Sequence, residues 1–194
     1  MDKNAVMSTV YRNRFIIILC FVLILGTVSG SRIAIKIPEE MIKNIYMIIS
    51  EEPVNFKEVF INRLCLPVII LISVYLSGNS VFGKISVQVC VFFAGLFFGF
   101  ENAVNYGCSG TEYIFKSLIL YFTATLYFMF FYLIMAESSL FSAIGINEII
   151  KNTDREKSHY DAKKLTVKLV TFTIIFAIIS LFSAYIFSLL DSAV

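Results

Sequence analysis

The side chains that most often carry chemistry are sparse and scattered in this sequence. Its one histidine, His159, lies in a hydrophilic segment, and the four cysteines have neither Cys-x-x-Cys nor Cys–His spacing. No H-E-x-x-H, G-x-S-x-G or P-loop pattern occurs. Catalysis needs a nucleophile with a base, a carboxylate pair or a metal cluster. We therefore predict that the chain is not an enzyme and that it binds no metal or cofactor.

Ionisable side chains inside apolar segments would indicate a transport pathway. Gln88 is the only strongly polar residue that we expect inside a membrane span, and we interpret its amide as a hydrogen-bonding contact between helices. Glu101 and Glu137 are expected at helix ends, where water can solvate their carboxylates. The sequence therefore gives little support to a gradient-driven pump.

The composition indicates that lipid is the main solvent of this chain. Of its 194 residues, 58% are hydrophobic and only 15% are charged, whereas soluble domains carry about 25% charged residues. The net charge of +2 is too small to argue for a nucleic-acid partner. We predict an all-α fold: a polytopic membrane protein, built as a bundle of about five transmembrane helices plus a short outer amphipathic helix.

Five apolar segments are long enough to cross a bilayer, which takes about 20 residues. A hydrophilic flank at 1–14 precedes one membrane domain at 15–194, with spans at about 15–35, 59–77, 83–101, 113–136 and 169–190. The first segment has features of an uncleaved span and of a signal peptide, and we favour the span because apolar residues continue past Gly30. Pro38 with the two following glutamates predicts the start of the amphipathic helix, which is too short to span and ends before Pro53.

Two pairs of glycines, each four residues apart, predict faces where helices approach closely. Gly26 and Gly30 lie in the first span, and Gly95 and Gly99 lie in the third. We expect a phenylalanine-rich neighbour on the Gly95/Gly99 face. Pro67 predicts a kink in the second span.

The segment 101–110 holds the densest cluster of glycines and small polar residues, and we predict that it forms an outer loop. Ser109 and Glu112 match a capping box, which predicts the start of the fourth helix. After Glu137, the apolar residues are expected to form a tail along the membrane surface.

The distribution of basic residues predicts the orientation in the membrane. With the N-terminus in the cytoplasm, the inner segments hold ten Lys and Arg residues and the outer segments hold six. Because positive charge is enriched on the cytoplasmic side, we predict a cytoplasmic N-terminus and an external C-terminus in the cell membrane.

The order of these elements resembles the stage II sporulation protein M family. The resemblance rests on LGTVSGSRIA at the end of the first span, LPVIILISVYLSG, FFAGLFFGF, and NYGCSGTEYIFKSLIL before an aromatic span. It implies a non-enzymatic membrane scaffold of the sporulation engulfment machinery, which anchors and localises peptidoglycan-degrading partners. The surfaces for partner contact would be 36–63 and 101–111, with the candidate residues Glu101, Asn105, Tyr106 and Glu112.

A small permease or transporter subunit is the alternative, from a different functional class. It predicts a continuous polar path between the helices near Gln88, Thr123 and Thr125. A sealed, phenylalanine-filled centre of the bundle would argue against it.

Overall fold

The computed structural model describes residues 3–38, 40–41, 56–117, 123–150 and 162–191, and these residues form five long α-helices. They are α1 Lys3–Lys36, α2 Phe56–Gly78, α3 Gly83–Ser117, α4 Thr123–Ile150 and α5 Ala162–Asp191. The predicted all-α architecture is confirmed. Most of the predicted outer amphipathic helix lies outside the described residues.

Four helices contain an apolar stretch that is long enough to cross a membrane. These stretches are Arg14–Lys36, Gly83–Val104, Leu126–Asn147 and Ala162–Tyr185. The apolar part of α2, Leu64–Gly78, is shorter. Large apolar side chains cover the outside of the bundle, as expected where lipid replaces water: Ile17, Phe21, Ile69, Phe93, Ile178 and Phe182 are each more than half exposed. The four long apolar helices indicate a polytopic membrane protein.

The helix α4 forms the centre of the bundle. It contacts each of the other four helices, and half of its apolar stretch is buried, against 22% for α1 and α5. Aromatic rings fill the space between α4 and α5: the Phe128 and Phe176 ring centroids lie 4.8 Å apart, edge to face. Such pairs stabilise a contact beyond their buried area. The helices α4 and α5 are antiparallel, because Ser138 lies beside Lys168 while Phe128 lies beside Phe176.

A short turn joins α2 to α3, as the glycine-bounded segment 78–83 predicts. Backbone hydrogen bonds from Asn79 to Leu76 (3.1 Å) and from Gly83 to Ser80 (3.0 Å) close the turn. The Asn147 amide of α4 donates to the Val81 carbonyl (3.1 Å), so the end of α4 holds the turn in place.

The predicted outer loop at 101–110 is wrong, because α3 continues through it to Ser117. The capping box at Ser109 and Glu112 therefore does not begin a helix. The physical reason is that isolated glycines, such as Gly107, cost about 1 kcal/mol each in a helix without ending it. The segment contains no proline that would interrupt the backbone hydrogen bonds.

The predicted bounds of the fourth helix, 113–136, are also wrong. The helix α4 begins at Thr123 and continues past Glu137 to Ile150. The residues after Glu137 are apolar again and contain no proline, so they extend the helix through the bundle. They do not form the predicted tail on the membrane surface.

Candidate functional site

The most extensive helix contact is between α1 and α3, and glycines define it on both sides. A Cβ atom added to Gly26 would meet the Phe92 carbonyl oxygen and lie 3.0 Å from the Leu96 backbone nitrogen. A Cβ added to Gly30 would meet the Leu96 carbonyl oxygen and would lie 2.8 Å from the Leu96 carbonyl carbon. No side chain fits at either position, so the two backbones lie in direct contact.

The glycines of α3 face α1 in the same way. A Cβ added to Gly95 would meet the Leu23 carbonyl, and one on Gly99 would meet the Thr27 carbonyl. The Ser31 hydroxyl donates to the Gly99 carbonyl (3.0 Å). The neighbour of the Gly95/Gly99 face is therefore α1, through Leu23 and Thr27, and not the expected phenylalanine-rich helix. We call this contact, made by the four glycines, the glycine seam.

A second contact between small residues joins the α2–α3 turn to α4. A Cβ added to Gly78 would lie 2.5 Å from the Ser139 Cβ, and one added to Gly83 would meet the Ala143 Cβ. This contact was not found from the sequence, because Gly78 and Gly83 were interpreted only as the borders of a turn. The spacing of Ser139 and Ala143, four residues apart on one face of α4, is the signal that was available.

Glu137 lies near the middle of the apolar stretch of α4, and only 2% of its surface is exposed. The expectation that Glu137 lies at a solvated helix end is wrong, since α4 continues well beyond it. Glu101 is likewise inside a helix, half-buried within α3. A carboxylate in a membrane span is costly, and such residues commonly face the bundle interior and find a partner there.

The residue next to Glu137 binds a cationic side chain from another helix. The Lys168 ammonium of α5 donates to the Ser138 hydroxyl at 2.6 Å, and that hydroxyl donates to the Ile134 carbonyl at 2.9 Å. A half-buried ammonium is therefore held against α4, one residue from the buried carboxylate. We expect this ammonium to reduce the cost of burying the carboxylate.

Further polar groups are buried close to α4. Four hydroxyl oxygens have no hydrogen-bond partner among the described residues: Tyr132, Ser139, Ser142 and Ser180. Leaving a buried polar group unpaired costs about 1–3 kcal/mol. The interior of α4 is therefore more polar than its apolar sequence indicates. We call Glu137, Ser138, Ser139, Ser142 and Lys168 the polar cluster of α4.

The remaining predicted site residues lie along α3. Gln88 is half-buried, and its amide forms no hydrogen bond with another described residue. Asn105, Tyr106 and Glu112 belong to the helix, but their side chains lie outside the described set. The spacing of Glu101, Asn105 and Glu112 puts these three positions on one face of α3, whereas Tyr106 falls on another.

Metal-binding geometry is not found in the described part of the chain, where no three His, Cys, Asp or Glu residues come together. Cys20, Cys65 and Cys90 are free thiols. The Cys90 sulfur lies 3.4 Å from the Ser77 hydroxyl, a contact within the bundle.

The fold and these contacts define a class, that of polytopic helical membrane proteins with a closely packed centre. Comparison of the chain with protein-family models, curated proteins and solved structures finds no match.

Proposed function

We propose that this protein is a non-enzymatic membrane scaffold that holds partner proteins through the C-terminal extension of α3, residues 105–117. The observation that carries the proposal is the length of α3. The helix continues to Ser117, about 13 residues beyond Val104, the last residue of its described apolar stretch, and these residues form a rod of roughly 20 Å at 1.5 Å per residue. A helix that extends beyond the bilayer offers a surface to other proteins.

The spacing of polar residues supports this role for the extension. The spacing of Glu101, Asn105 and Glu112 places these three positions on one helical face, which runs from the end of the apolar stretch into the extension. A Cβ added to Gly107 would meet nothing within 4 Å. None of the described residues therefore fills the space beside this position of the extension.

The packing of the bundle centre supports a scaffold more than a conduit. Phe98, Phe128 and Phe176 converge there, and the cavity that they line has a volume of only about 10 Å³. Aromatic packing of this kind suits a protein that positions others.

We further propose that the partners are peptidoglycan-degrading enzymes, on the resemblance to the stage II sporulation protein M family. Basic residues are more numerous in the segments on the opposite side of the membrane from the α3 extension. This distribution supports a cytoplasmic N-terminus and an external C-terminus. In that orientation the α3 extension is on the side of the membrane where the cell wall is built and degraded. The protein would then belong to the engulfment machinery of sporulation.

A photocrosslinking amino acid at position 107 tests the scaffold proposal in native membranes. Gly107 accepts a side chain without a clash, and Phe93, which is 60% exposed within the apolar stretch of α3, is the matched lipid-facing control. We expect light-dependent adducts with a cell-wall hydrolase from position 107 but not from position 93. Adducts with an ATPase subunit, or no protein adduct at position 107, would contradict the proposal.

Glu137 favours a second candidate function, a small permease or transporter subunit. A carboxyl group buried in mid-span, beside an ammonium-bound serine, is a common feature of proton and ion pathways.

The test is proton flux into liposomes that contain the purified chain, followed with an enclosed pH-sensitive dye under an imposed membrane potential. A flux that the Glu137→Gln substitution abolishes and the Glu101→Gln substitution preserves would establish the transporter function. Dye traces that match protein-free liposomes would exclude proton transport.

A further inference from the structure

The first two turns of α5 carry lysines at the point where its apolar stretch begins. Lys163 and Lys164 are exposed in the first turn, at the start of the stretch Ala162–Tyr185. The end of an apolar stretch lies at the level of the lipid headgroups. The first turn contains no acidic residue, and the helix dipole adds partial positive charge there. This end of α5 therefore presents positive charge to the headgroup region.

Two of the lysines share a face of α5 that lies beside α4. Lys164 and Lys168 are one helical turn apart, and the Lys168 ammonium donates to the Ser138 hydroxyl at 2.6 Å. Because α4 and α5 are antiparallel, Ser142, one turn after Ser138, lies at the level of Lys164. Ser142 is buried, and its hydroxyl has no partner among the described residues. We call these two lysines and two serines the lysine groove.

The charge of this region favours an anionic ligand. Glu137, the buried carboxylate next to Ser138, offsets at most one of the three positive charges of Lys163, Lys164 and Lys168. An ammonium has three N–H donors, so a lysine that has a partner within the protein can also bind a phosphate oxygen. Hydrogen bonds between an ammonium and a phosphate are charge-assisted and strong.

An apolar, lipid-facing stripe continues from the lysine groove along α5. Val167, Ile174 and Ile178 are each more than half exposed. Together with position 171, they follow Lys164 at the three- and four-residue spacing of one helix face. A ligand with both a phosphate and acyl chains can use the lysines and this stripe together, whereas a free phosphate gains nothing from the stripe.

We infer that the lysine groove binds the headgroup of an anionic phospholipid. The phosphate binds between Lys164 and Lys168, and the acyl chains lie along Val167, Ile174 and Ile178. Basic pockets between transmembrane helices bind anionic headgroups in the same way. The inference depends on the membrane-spanning character of the helices and is independent of the proposed scaffold function.

Native mass spectrometry of the full chain, released from detergent micelles, tests the inference. The probes are phosphatidylglycerol, which is anionic, and phosphatidylcholine with the same acyl chains, which is zwitterionic. At equal lipid concentration, we expect the phosphatidylglycerol adduct to have a several-fold higher occupancy than the phosphatidylcholine adduct. Equal occupancies would overturn the inference, because the charge of the headgroup would then not select the lipid.

Substitutions at position 164 locate the site. Lys164 is exposed, so Lys164→Gln leaves the packing of the bundle intact, and it should lower the occupancy of the phosphatidylglycerol adduct several-fold. Lys164→Arg keeps the charge and should preserve the adduct. Lys84, an exposed lysine in the first turn of α3, where another apolar stretch begins, provides the matched control Lys84→Gln. Equal occupancies for Lys164→Gln, Lys84→Gln and the unaltered chain would overturn the inference.

Thermal unfolding in the same detergent distinguishes a lipid from a free phosphate ester. Phosphatidylglycerol should raise the melting temperature of the unaltered chain by several degrees and that of Lys164→Gln by much less. Glycerol 1-phosphate has the phosphate without the acyl chains, and we expect it to leave the melting temperature unchanged. If glycerol 1-phosphate stabilises the chain as much as phosphatidylglycerol does, the groove binds free phosphate esters and the lipid inference is wrong.

Discussion

In the glycine seam, α1 and α3 meet through their backbones, whereas around α4 buried polar side chains meet neighbouring helices. The seam depends on the lack of side chains at Gly26, Gly30, Gly95 and Gly99, each of which faces backbone atoms of the other helix. The polar cluster of α4 depends on particular side chains, such as Lys168 against Ser138. One contact is specified by shape and the other by charge and hydrogen bonding.

This difference matters because lipid supplies no hydrophobic driving force between helices. Close backbone contact gains van der Waals packing over a long surface and tolerates no added atoms. A polar cluster gains electrostatic interactions but adds the cost of burying every polar group that stays unpaired. Substitutions that add one methyl group should therefore harm the seam, and substitutions that remove one charge should harm the cluster.

The largest effect is expected from Lys168→Met, which keeps the length of the side chain and removes its ammonium. The ammonium donates to Ser138, one residue from the buried Glu137, and we expect its charge to offset part of the cost of burying that carboxylate. Removing the charge that compensates a buried carboxylate costs up to about 3–5 kcal/mol. The free energy of unfolding, from denaturant titration in detergent micelles, measures the loss.

The double variant Lys168→Met with Glu137→Gln is the control for this prediction. Removing both charges should recover most of the lost stability, because no uncompensated charge remains. If the two single substitutions instead add independently in the double variant, Lys168 does not compensate Glu137, and the polar cluster is not a unit.

A smaller loss, of about 1–3 kcal/mol, is expected from Gly99→Ala in the seam. The new Cβ meets the Thr27 carbonyl group, so the helices must separate along the contact. Gly107→Ala in the same helix is the matched control, since its Cβ would meet nothing within 4 Å. There the better helix propensity of alanine should increase stability by up to about 1 kcal/mol.

Opposite signs for the two alanine substitutions would establish that the seam is set by backbone approach. A Gly99→Ala protein that is as stable as the Gly107→Ala protein would show that α1 and α3 have room between them. Thermal unfolding of the two purified variants, side by side, makes the comparison.

The glycine seam and the polar cluster also differ in how far the sequence predicts them. Glycines four residues apart are a local pattern, so the glycines of the seam were singled out as packing positions before the fold was known. Their partner was not predictable, because a helix face that lacks side chains carries no information about which helix approaches it. The expectation of a phenylalanine-rich neighbour on the Gly95/Gly99 face is wrong for that reason, since Leu23 and Thr27 of α1 lie there.

The sequence does not predict the polar cluster, because a charged residue at the end of an apolar run indicates the end of a helix. Glu137 is followed by two serines, and both features are typical of a span leaving the membrane. The signal against that interpretation was Leu140, Phe141 and Ile144, apolar residues that resume the helical spacing after the serines. In the same way, the glycines of 101–110 predict a loop, although no proline interrupts the helix there.

The smallest effect separates two neighbouring serines of α4. Ser138→Ala removes the hydroxyl that accepts from Lys168, and losing a hydrogen bond to a charged group costs about 1.5–3 kcal/mol when the group is buried. We expect about 1 kcal/mol or slightly more, because the half-buried Lys168 can reach other partners. Ser139→Ala removes a fully buried hydroxyl that has no partner among the described residues, so stability should stay equal or rise. Denaturant titration measures the free energy of unfolding of both variants. Equal losses of stability would contradict the prediction, because they would mean that the Ser139 hydroxyl forms a hydrogen bond as strong as that of Ser138.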